Sequence, residues 1–209
     1  MKIYNFTNYL FDFDGTLINS NKIHEKAFLC TLQKNKICTK NFEYEKIKGM
    51  KTIDAFKFLN LKKNIYKMTK EKKFFYKSNI CRVKLFKGAL KLILLLRKNK
   101  KKIFIVSGAS KKNILPILKK YKIKVNGIIS AENVKYSKPH PESYKKCLKS
   151  YCLDAQKSIA IEDSKSGLIS AKKNKICVVG INNLSIKTKA DIYFHNLETF
   201  YLKLKKTIK

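Results

Sequence analysis

The stretch LFDFDGTL at residues 10–17 places two carboxylates at the end of a short apolar run. The apolar residues Tyr9 to Phe11 predict a buried strand, and Gly15 predicts a tight turn where that strand ends. Two aspartates separated by one residue repel each other at such a place unless a cation lies between them. The pattern therefore indicates a metal site, an acid–base pair, or both, although an isolated pair of this kind is often only a turn and a helix cap.

The chain of 209 residues carries a net charge of +34, which in other proteins often marks a nucleic-acid or membrane partner. Nearly all of this charge comes from lysines spread through every segment, and Arg82 and Arg97 are the only arginines. Because arginine is the preferred residue for bidentate contacts with phosphates and bases, diffuse lysine charge predicts no specific nucleic-acid partner. We expect the charge to attract small phosphorylated molecules instead.

The sequence contains no apolar segment of the length of a signal peptide or a membrane span. The six cysteines include no Cys-x-x-Cys pair, so reduced thiols are expected. Together these features predict a cytoplasmic protein with no membrane partner. We expect it to be a monomer or a weak dimer.

Residues 16–83 show helical patterns and only weak strand signals. A first helix is predicted to begin near Ser20 or Asn21, and further helices are predicted at residues 42–48, 52–61 and 65–80. A block of this length is too long for an ordinary connection between a strand and the next element. It predicts a helical cap inserted after the first strand, with residues 1–15 and 84–209 forming the catalytic core.

From residue 84 onward, helices and strands alternate. Strands are predicted at residues 101–106, 127–129, 158–161, 176–179 and 191–194, and helices at 89–98, 111–120 (interrupted at Pro116), 141–151, 164–174 and the C-terminal end. Alternation of near-continuous apolar strands with helices is typical of an α/β, Rossmann-like parallel sheet covered on both faces. In such sheets ligands bind at the carboxyl ends of the strands.

Residues with hydrogen-bonding or charged side chains follow four of the predicted strands: Asp12 and Asp14, then Ser107-Gly108, then Ser137-Lys138-Pro139, and then Glu162-Asp163. This series resembles the four motifs of the haloacid dehalogenase-like phosphohydrolases, over essentially the whole chain. Within that superfamily the chain looks like the branch of β-phosphoglucomutase and phosphoglycolate phosphatase, whose members carry a helical cap.

The resemblance implies a role for each motif. Asp12 would be the nucleophile that forms an aspartyl-phosphate, and Asp14 would be the general acid and base. Ser107 and Gly108 would hold the phosphoryl oxygens, and Lys138 would place a positive charge beside them. The metal set would comprise Asp12, Asp14 (through its backbone carbonyl), Glu162 and Asp163, with Mg²⁺ as the natural ion. Ser107 as a helix cap and Glu162-Asp163 as helix-opening acids are the simpler interpretations of those residues.

In the predicted cap, the spacing of His24, Lys48 and Gly49 from Asp12 resembles the region that covers the substrate in β-phosphoglucomutase and related sugar-phosphate phosphatases. A solvent-facing histidine and a glycine turn between two helices explain the same residues equally well. The relatives that are phosphomutases place an arginine shortly after this glycine, where the present chain has Thr52.

These observations favour Mg²⁺-dependent hydrolysis of a small phosphate monoester, such as a sugar phosphate or similar metabolite. A phosphomutase related to β-phosphoglucomutase is the alternative, and a basic nucleic-acid-binding protein with a vestigial site is a third. Substrate identity does not follow from the sequence, because specificity depends on cap side chains that differ between proteins of one fold.

Overall fold

A computed structural model of the protein describes residues 3–61 and 63–208. Its centre is a sheet of six parallel strands in the spatial order β3-β2-β1-β4-β5-β6. The strands are β1 (Asn8–Phe11), β2 (Lys102–Val106), β3 (Gly127–Ile129), β4 (Ser158–Glu162), β5 (Cys177–Ile181) and β6 (Ile192–Phe194). The predicted α/β, Rossmann-like parallel sheet is confirmed.

Nine α-helices are described: α1 (Asn21–Lys34), α2 (Tyr44–Ile47), α3 (Thr52–Phe58), α4 (Ile65–Asn79), α5 (Ala89–Lys98), α6 (Lys111–Lys120), α7 (Glu142–Ser150), α8 (Lys165–Lys172) and α9 (Leu197–Thr207). Short 3₁₀ turns lie at Ile3–Asn5, Ile80–Arg82, Ala131–Asn133, Ala155–Lys157 and Leu184–Lys189. The first four helices form the cap after β1, and the other five belong to the core.

Strand β1 lies in the middle of the sheet and is buried on both faces. Phe11 pairs with Ile105 on one side and with Ile161 on the other. Successive side chains of a strand point to opposite faces, and accordingly Tyr9 and Phe11 pack in one hydrophobic cluster while Leu10 packs in the other. The residues that follow β1 therefore emerge at the centre of the sheet's carboxyl edge.

The cap has a hydrophobic cluster of its own, formed by Phe28, Leu32, Ile47, Ala55, Phe56 and Met68. By contrast, Leu17, Ile18 and Val83 pack with the core beside the sheet. We therefore propose that the cap begins a few residues later than residue 16, because the chain first crosses the core before α1 begins.

Three helix predictions differ from the structure. Helix α2 ends at Ile47, because Lys48 adopts an extended backbone conformation, and α3 ends at Phe58, two residues before Asn60 adopts a left-handed one. Helix α6 runs through Pro116 without interruption. Proline has no amide proton, so the helix loses only the hydrogen bond to the carbonyl group four residues earlier. That carbonyl group lies in the exposed first turn of α6, and the helix therefore persists.

Candidate active site

The main chain of β1 leads directly into a buried group of charges at the sheet's carboxyl edge. The Asp12 amide still donates to the carbonyl oxygen of Ile161, at 3.0 Å, so Asp12 continues the alignment with β4. Phe13, between Asp12 and Asp14 in the chain, is buried in the core. Asp12 itself is only 4% exposed, which places its carboxylate inside the protein.

Lys138 bridges two of the buried carboxylates. Its Nζ lies 2.7 Å from Asp12 Oδ1 and 2.6 Å from Glu162 Oε1, and it donates to the carbonyl oxygen of Val106 at 2.8 Å. The side chain is 2% exposed. A buried ammonium group with all three protons donated is fully satisfied, which is the condition for burying such a charge without a large net cost.

The carboxylates around Lys138 resist ionisation. Burial raises the pKa of Asp12 to about 7; Lys138 opposes this shift, and the Glu162 charge adds to it. Burial also raises the pKa of Glu162, against the opposing effect of Lys138. One ammonium group therefore does not fully compensate the two carboxylates, and a further cation would be favourable here.

Asp12, Glu162 and Asp163 form an acidic cluster in which one oxygen from each carboxylate lies within 4.8 Å of the others, and all three residues are buried. Buried carboxylate oxygens in this arrangement match the hard oxygen ligands that Mg²⁺ requires. The residues thus fit a divalent ion. The side chain of Asp14 is not among the grouped ligands, so only its backbone carbonyl is left for the metal role that the sequence assigned to it.

Glu162 and Asp163 have different partners within the acidic cluster. Glu162 Oε1 accepts from the Tyr144 hydroxyl at 2.6 Å as well as from Lys138. Asp163 Oδ2 accepts from Asn21 Nδ2 at 2.9 Å and lies 2.8 Å from Lys48 Nζ. Burial raises the pKa of Asp163 to about 6, with Lys48 opposing that shift.

Asp14 turns away from the acidic cluster and towards the cap. Its Oδ1 lies 2.6 Å from Ser20 Oγ, 3.0 Å from His24 Nε2 and 3.1 Å from the Tyr76 hydroxyl. Burial alone would raise the pKa of Asp14, but hydrogen bonds from His24 and Ser20 and the nearby charge of Lys72 outweigh burial and lower it below its usual value. Asp14 is therefore ionised in this conformation.

His24 is enclosed rather than solvent-facing. Its side chain is 16% exposed and its ring stacks on Tyr76 at 4.1 Å between centroids. Lys72 Nζ lies 2.6 Å from His24 Nδ1. Burial and the Lys72 charge lower the pKa of His24, so we assign a neutral ring that accepts from Lys72 at Nδ1 and donates to Asp14 from Nε2.

The sequence interpretation missed Lys72, Tyr76, Asn21 and Tyr144. A signal for the first two exists in α4, where Met68, Lys72 and Tyr76 repeat every four residues along the buried face. A lysine on an otherwise buried helix face is unusual unless it has a polar partner. That pattern marks Lys72 as a candidate, although it does not identify His24 as its partner.

The predicted phosphate-holding residues follow β2. Ser107 is buried, and its Oγ accepts a hydrogen bond from the Ala109 amide at 3.0 Å. The N-cap residue of α6 is Ser110, so Ser107 does not cap that helix. Gly108 faces the carbonyl oxygen of Gly49, 3.1 Å from the position that a Cβ atom would take. The cap thus lies directly over this loop.

A cavity of about 540 Å³ separates cap and core above these groups. Its core side includes Asp12, Asp14, Ser107 and Gly108, and its cap side includes His24, Tyr44, Lys48, Gly49 and Lys72. All the candidate residues at the ends of β1 and β2, and those of the cap, therefore border one cavity. Lys138, Glu162 and Asp163 lie behind Asp12.

Comparison with known proteins assigns the chain to a family. A sequence model described as haloacid dehalogenase-like hydrolase matches residues 9–181. The chain belongs to the haloacid dehalogenase-like hydrolases. None of the curated protein sequences matches it.

Solved structures of other proteins share the fold over nearly the full chain. A hydrolase from Pseudomonas syringae has a TM-score of 0.87 at 20% identity, covering 96% of this chain and 98% of that one. β-Phosphoglucomutase from Clostridium difficile has a TM-score of 0.83 at 23% identity, covering 97% and 99%. CbbY from Rhodobacter sphaeroides has a TM-score of 0.79 at 19% identity, covering 96% of this chain and 99% of that one.

Within the described residues, no helix has the length and apolar character needed to cross a membrane.

Gly15 leaves space for the acidic cluster of this haloacid dehalogenase-like site. Its φ is +78°, and a Cβ atom there would collide with the Asp163 carboxylate and the Asn21 side chain. We expect Gly15→Ala to weaken Mg²⁺ binding severely and to lower the free energy of unfolding by at least about 1–2 kcal/mol, the cost of a left-handed backbone for alanine. Calorimetric Mg²⁺ titration and thermal unfolding measure the two effects.

Gly108→Ala is the matched control, because Gly108 has no positive φ and its nearest contact is a backbone oxygen at 3.1 Å. Gly108→Ala should lower the free energy of unfolding by less than Gly15→Ala does, and it should leave the affinity for Mg²⁺ nearly unchanged. Equal Mg²⁺ affinity in Gly15→Ala and the wild type would contradict the position of Asp163 beside this turn.

Proposed function

We propose that this chain is a Mg²⁺-dependent phosphatase that hydrolyses a small phosphate monoester, such as a sugar phosphate or similar metabolite, through an aspartyl-phosphate on Asp12. The observation that carries the proposal is the buried contact of Asp12 with Lys138, 2.7 Å apart, within the acidic cluster and beside a cavity between core and cap. Asp14, which borders the same cavity, supplies a second carboxylate.

In the proposed first step, an Asp12 oxygen forms a bond to phosphorus while the bond from phosphorus to the ester oxygen breaks. The leaving alkoxide takes up a proton, and water then attacks the phosphorus, releasing phosphate and restoring the Asp12 carboxylate. Lys138 balances charge beside Asp12 through both steps. A Mg²⁺ ion held by Asp12, Glu162 and Asp163 would supply further neutralisation of the phosphoryl charge.

Asp14 has the charge state that the second proposed step requires. Because its pKa is lowered, it is ionised and able to accept a proton from the attacking water, and loss of the hydrogen bonds that lower its pKa would make it a stronger base. To donate a proton to the leaving group in the first step, it must first be protonated, which requires the loss of hydrogen bonds from Ser20, His24 or Tyr76. These contacts make the protonation of Asp14 dependent on the position of the cap.

Two further observations support a small phosphorylated substrate. CbbY from Rhodobacter sphaeroides, which shares this fold, contains phosphate in one structure and xylulose-(1,5)bisphosphate in another. The cavity of about 540 Å³ lies within the usual range for sites that bind small molecules.

Hydrolysis is favoured over the mutase alternative by the side chains that follow Gly49 in the cap. Thr52 stands where the resemblance places the arginine of the mutases, and Lys48 and Lys51 flank it. Lys48 is paired with Asp163 and Glu45, and Lys51 donates to the carbonyl oxygens of Val134 and Lys135. Neither lysine offers the planar, bidentate grip on a second phosphate that the arginine of the mutases provides.

The test is phosphate release by the purified protein, with Mg²⁺, from a panel of phosphorylated metabolites that includes β-glucose 1-phosphate. We expect at least one ester to release phosphate catalytically. If β-glucose 1-phosphate is accepted, it should yield glucose and phosphate. Faster formation of glucose 6-phosphate, with catalytic bisphosphate present, would favour the mutase, and no turnover of any ester would reject the proposal.

The metal requirement gives a separate prediction. Chelator should abolish phosphate release, Mg²⁺ should restore it, and Ca²⁺ should restore it poorly, because its larger and more flexible coordination shell misplaces the reacting groups. Asp163→Ala should raise the Mg²⁺ concentration needed for half-maximal rate or remove activity. Full activity in metal-free buffer would contradict a metal role for the acidic cluster.

A further inference from the structure

Lys48 of the cap reaches into the core and contacts the acidic cluster directly. Its Nζ lies 2.8 Å from Asp163 Oδ2, and the two side chains are 4% and 1% exposed. Removing one partner from a buried ion pair leaves an uncompensated charge, so such a contact holds its two segments together strongly. The segment after α2 is therefore fastened to the loop between β4 and α8.

Neighbouring contacts hold Lys48 in this position. The Ser166 hydroxyl donates to the Lys48 carbonyl oxygen, and Lys48 Nζ also lies 3.2 Å from Glu45 Oε1. Asn183 Nδ2 lies 2.8 Å from Glu45 Oε2 and 2.9 Å from the Asp163 carbonyl oxygen. Both the main chain and the side chain of Lys48 are thus bound to residues around Asp163.

The position of Lys48 conflicts with a divalent ion at the acidic cluster. Asp163 Oδ2 already accepts from Lys48 and Asn21, while Lys138 supplies a positive charge to Asp12 and Glu162. Two ammonium groups and a divalent ion together outnumber the three buried carboxylate charges, and the charge of Glu45, which also pairs with Lys48, is screened by solvent because its side chain is 56% exposed. Repulsion between cations is weakly screened in a buried site, so the three positive groups are unfavourable together when no anionic substrate is bound.

We propose that Lys48 competes with the divalent ion for Asp163, so that ion binding releases Lys48 and loosens the attachment of the cap at this point. Because coupling between two sites is reciprocal, the docked lysine in turn weakens ion binding. The inference rests on the proposed function only in that the acidic cluster binds a divalent ion, and it does not depend on the phosphatase reaction.

Calorimetric titration of Mg²⁺ into the substrate-free protein tests the competition. We expect Lys48→Met to bind Mg²⁺ with a Kd roughly tenfold lower than the wild type, in the usual range for coupled sites. Lys51→Met is the matched control, since it removes the same charge from the same segment, yet the described contacts of Lys51 are to main-chain oxygens only. Its Kd should stay within about twofold of the wild type, as expected for a screened charge.

An unchanged or higher Kd in Lys48→Met would overturn the competition. An equal gain in affinity in Lys51→Met would also overturn it, because general charge would then explain the effect. Tighter Mg²⁺ binding by Lys48→Met, in a protein that hydrolyses no phosphate ester, would support this inference while rejecting the proposed function.

A second measurement needs no variant. Hydrogen exchange of the wild type, with and without saturating Mg²⁺, reports the attachment of residues 47–52. We expect exchange in this segment to become faster when Mg²⁺ binds, since release of the Lys48 side chain frees the segment from Asp163. Unchanged or slower exchange would overturn the proposed coupling, even if Lys48→Met failed to fold.

Discussion

Asp12→Asn is expected to remove turnover while the protein stays folded. The amide has nearly the same shape, and its oxygen is able to accept the hydrogen bond from Lys138 Nζ that Asp12 Oδ1 accepts at 2.7 Å. It lacks the nucleophilic carboxylate, so we expect kcat to fall by at least roughly 10⁴-fold, as for loss of other catalytic nucleophiles. Phosphate release on the best substrate of the panel measures the effect, and circular dichroism verifies the fold.

Asp14→Asn is the informative comparison, because it removes a carboxylate that does not contact phosphorus in the proposed reaction. Its kcat should fall by about 10²–10⁴-fold, the range for loss of general acid–base catalysis. A phosphoenzyme should still form on Asp12 in this variant, but not in Asp12→Asn. Retention of more than a small fraction of wild-type kcat in Asp12→Asn, with contaminating phosphatase excluded, would rule out the covalent route.

Lys138→Met should both inactivate and destabilise the protein. The lysine is the shared partner of Asp12 and Glu162, and its loss leaves two buried carboxylates without an opposite charge. Breaking a buried pair in this way costs about 3–5 kcal/mol near neutral pH. Urea unfolding in the presence of chelator measures this loss. Lys87→Met, which removes a lysine that is 83% exposed, should change stability by no more than about 1 kcal/mol.

The loss in Lys138→Met should depend on pH. The folded-state pKa values of Asp12, at about 7, and of Glu162 are already raised above those of an unfolded chain. A carboxyl whose folded pKa is raised contributes stability at pH values below its unfolded pKa, and that stability is lost as pH rises through the folded pKa. Without Lys138 both values rise further, so the variant should lose stability more steeply than the wild type between about pH 5 and 8.

Adding Glu162→Gln to Lys138→Met should restore part of the stability, because one of the two uncompensated carboxylates is then neutral. The restored free energy should be larger at pH 8 than at pH 5. A Lys138→Met protein with wild-type stability at both pH values would show that the three charges do not depend on one another.

Much of the core was predictable because its signals are local. Apolar runs followed by polar residues predicted β1, β2 and β4, and parallel strands necessarily bring their carboxyl ends to one edge of the sheet. Asp12 and Glu162 were therefore expected to lie near each other before their strands were known to be neighbours. The helical cap followed from the length of chain between β1 and β2 that lacks strand signals.

Helix ends were predicted less well, because they depend on single backbone conformations. Residues 42–48 carry a helical pattern, but the extended conformation of Lys48 and the left-handed one of Gly49, with φ of +81°, end α2 early. This turn is also what presents Lys48 to Asp163. The prediction of a glycine turn was thus compatible with a role for the same segment at the site.

The sequence by itself determined the fold class, the helical insertion and the residues at the carboxyl edge of the sheet, because each depends on periodicity or on the order of residues along the chain. Only the tertiary structure decided that Lys138, in the loop after β3, reaches past β2 and β1 to Glu162 on β4. It also decided that Lys72 lies against His24, and Lys48 against Asp163. Contacts of this kind depend on the orientation in which a helix or loop packs against elements that are distant in the sequence. Packing across the whole molecule sets that orientation, and no local sequence pattern encodes it.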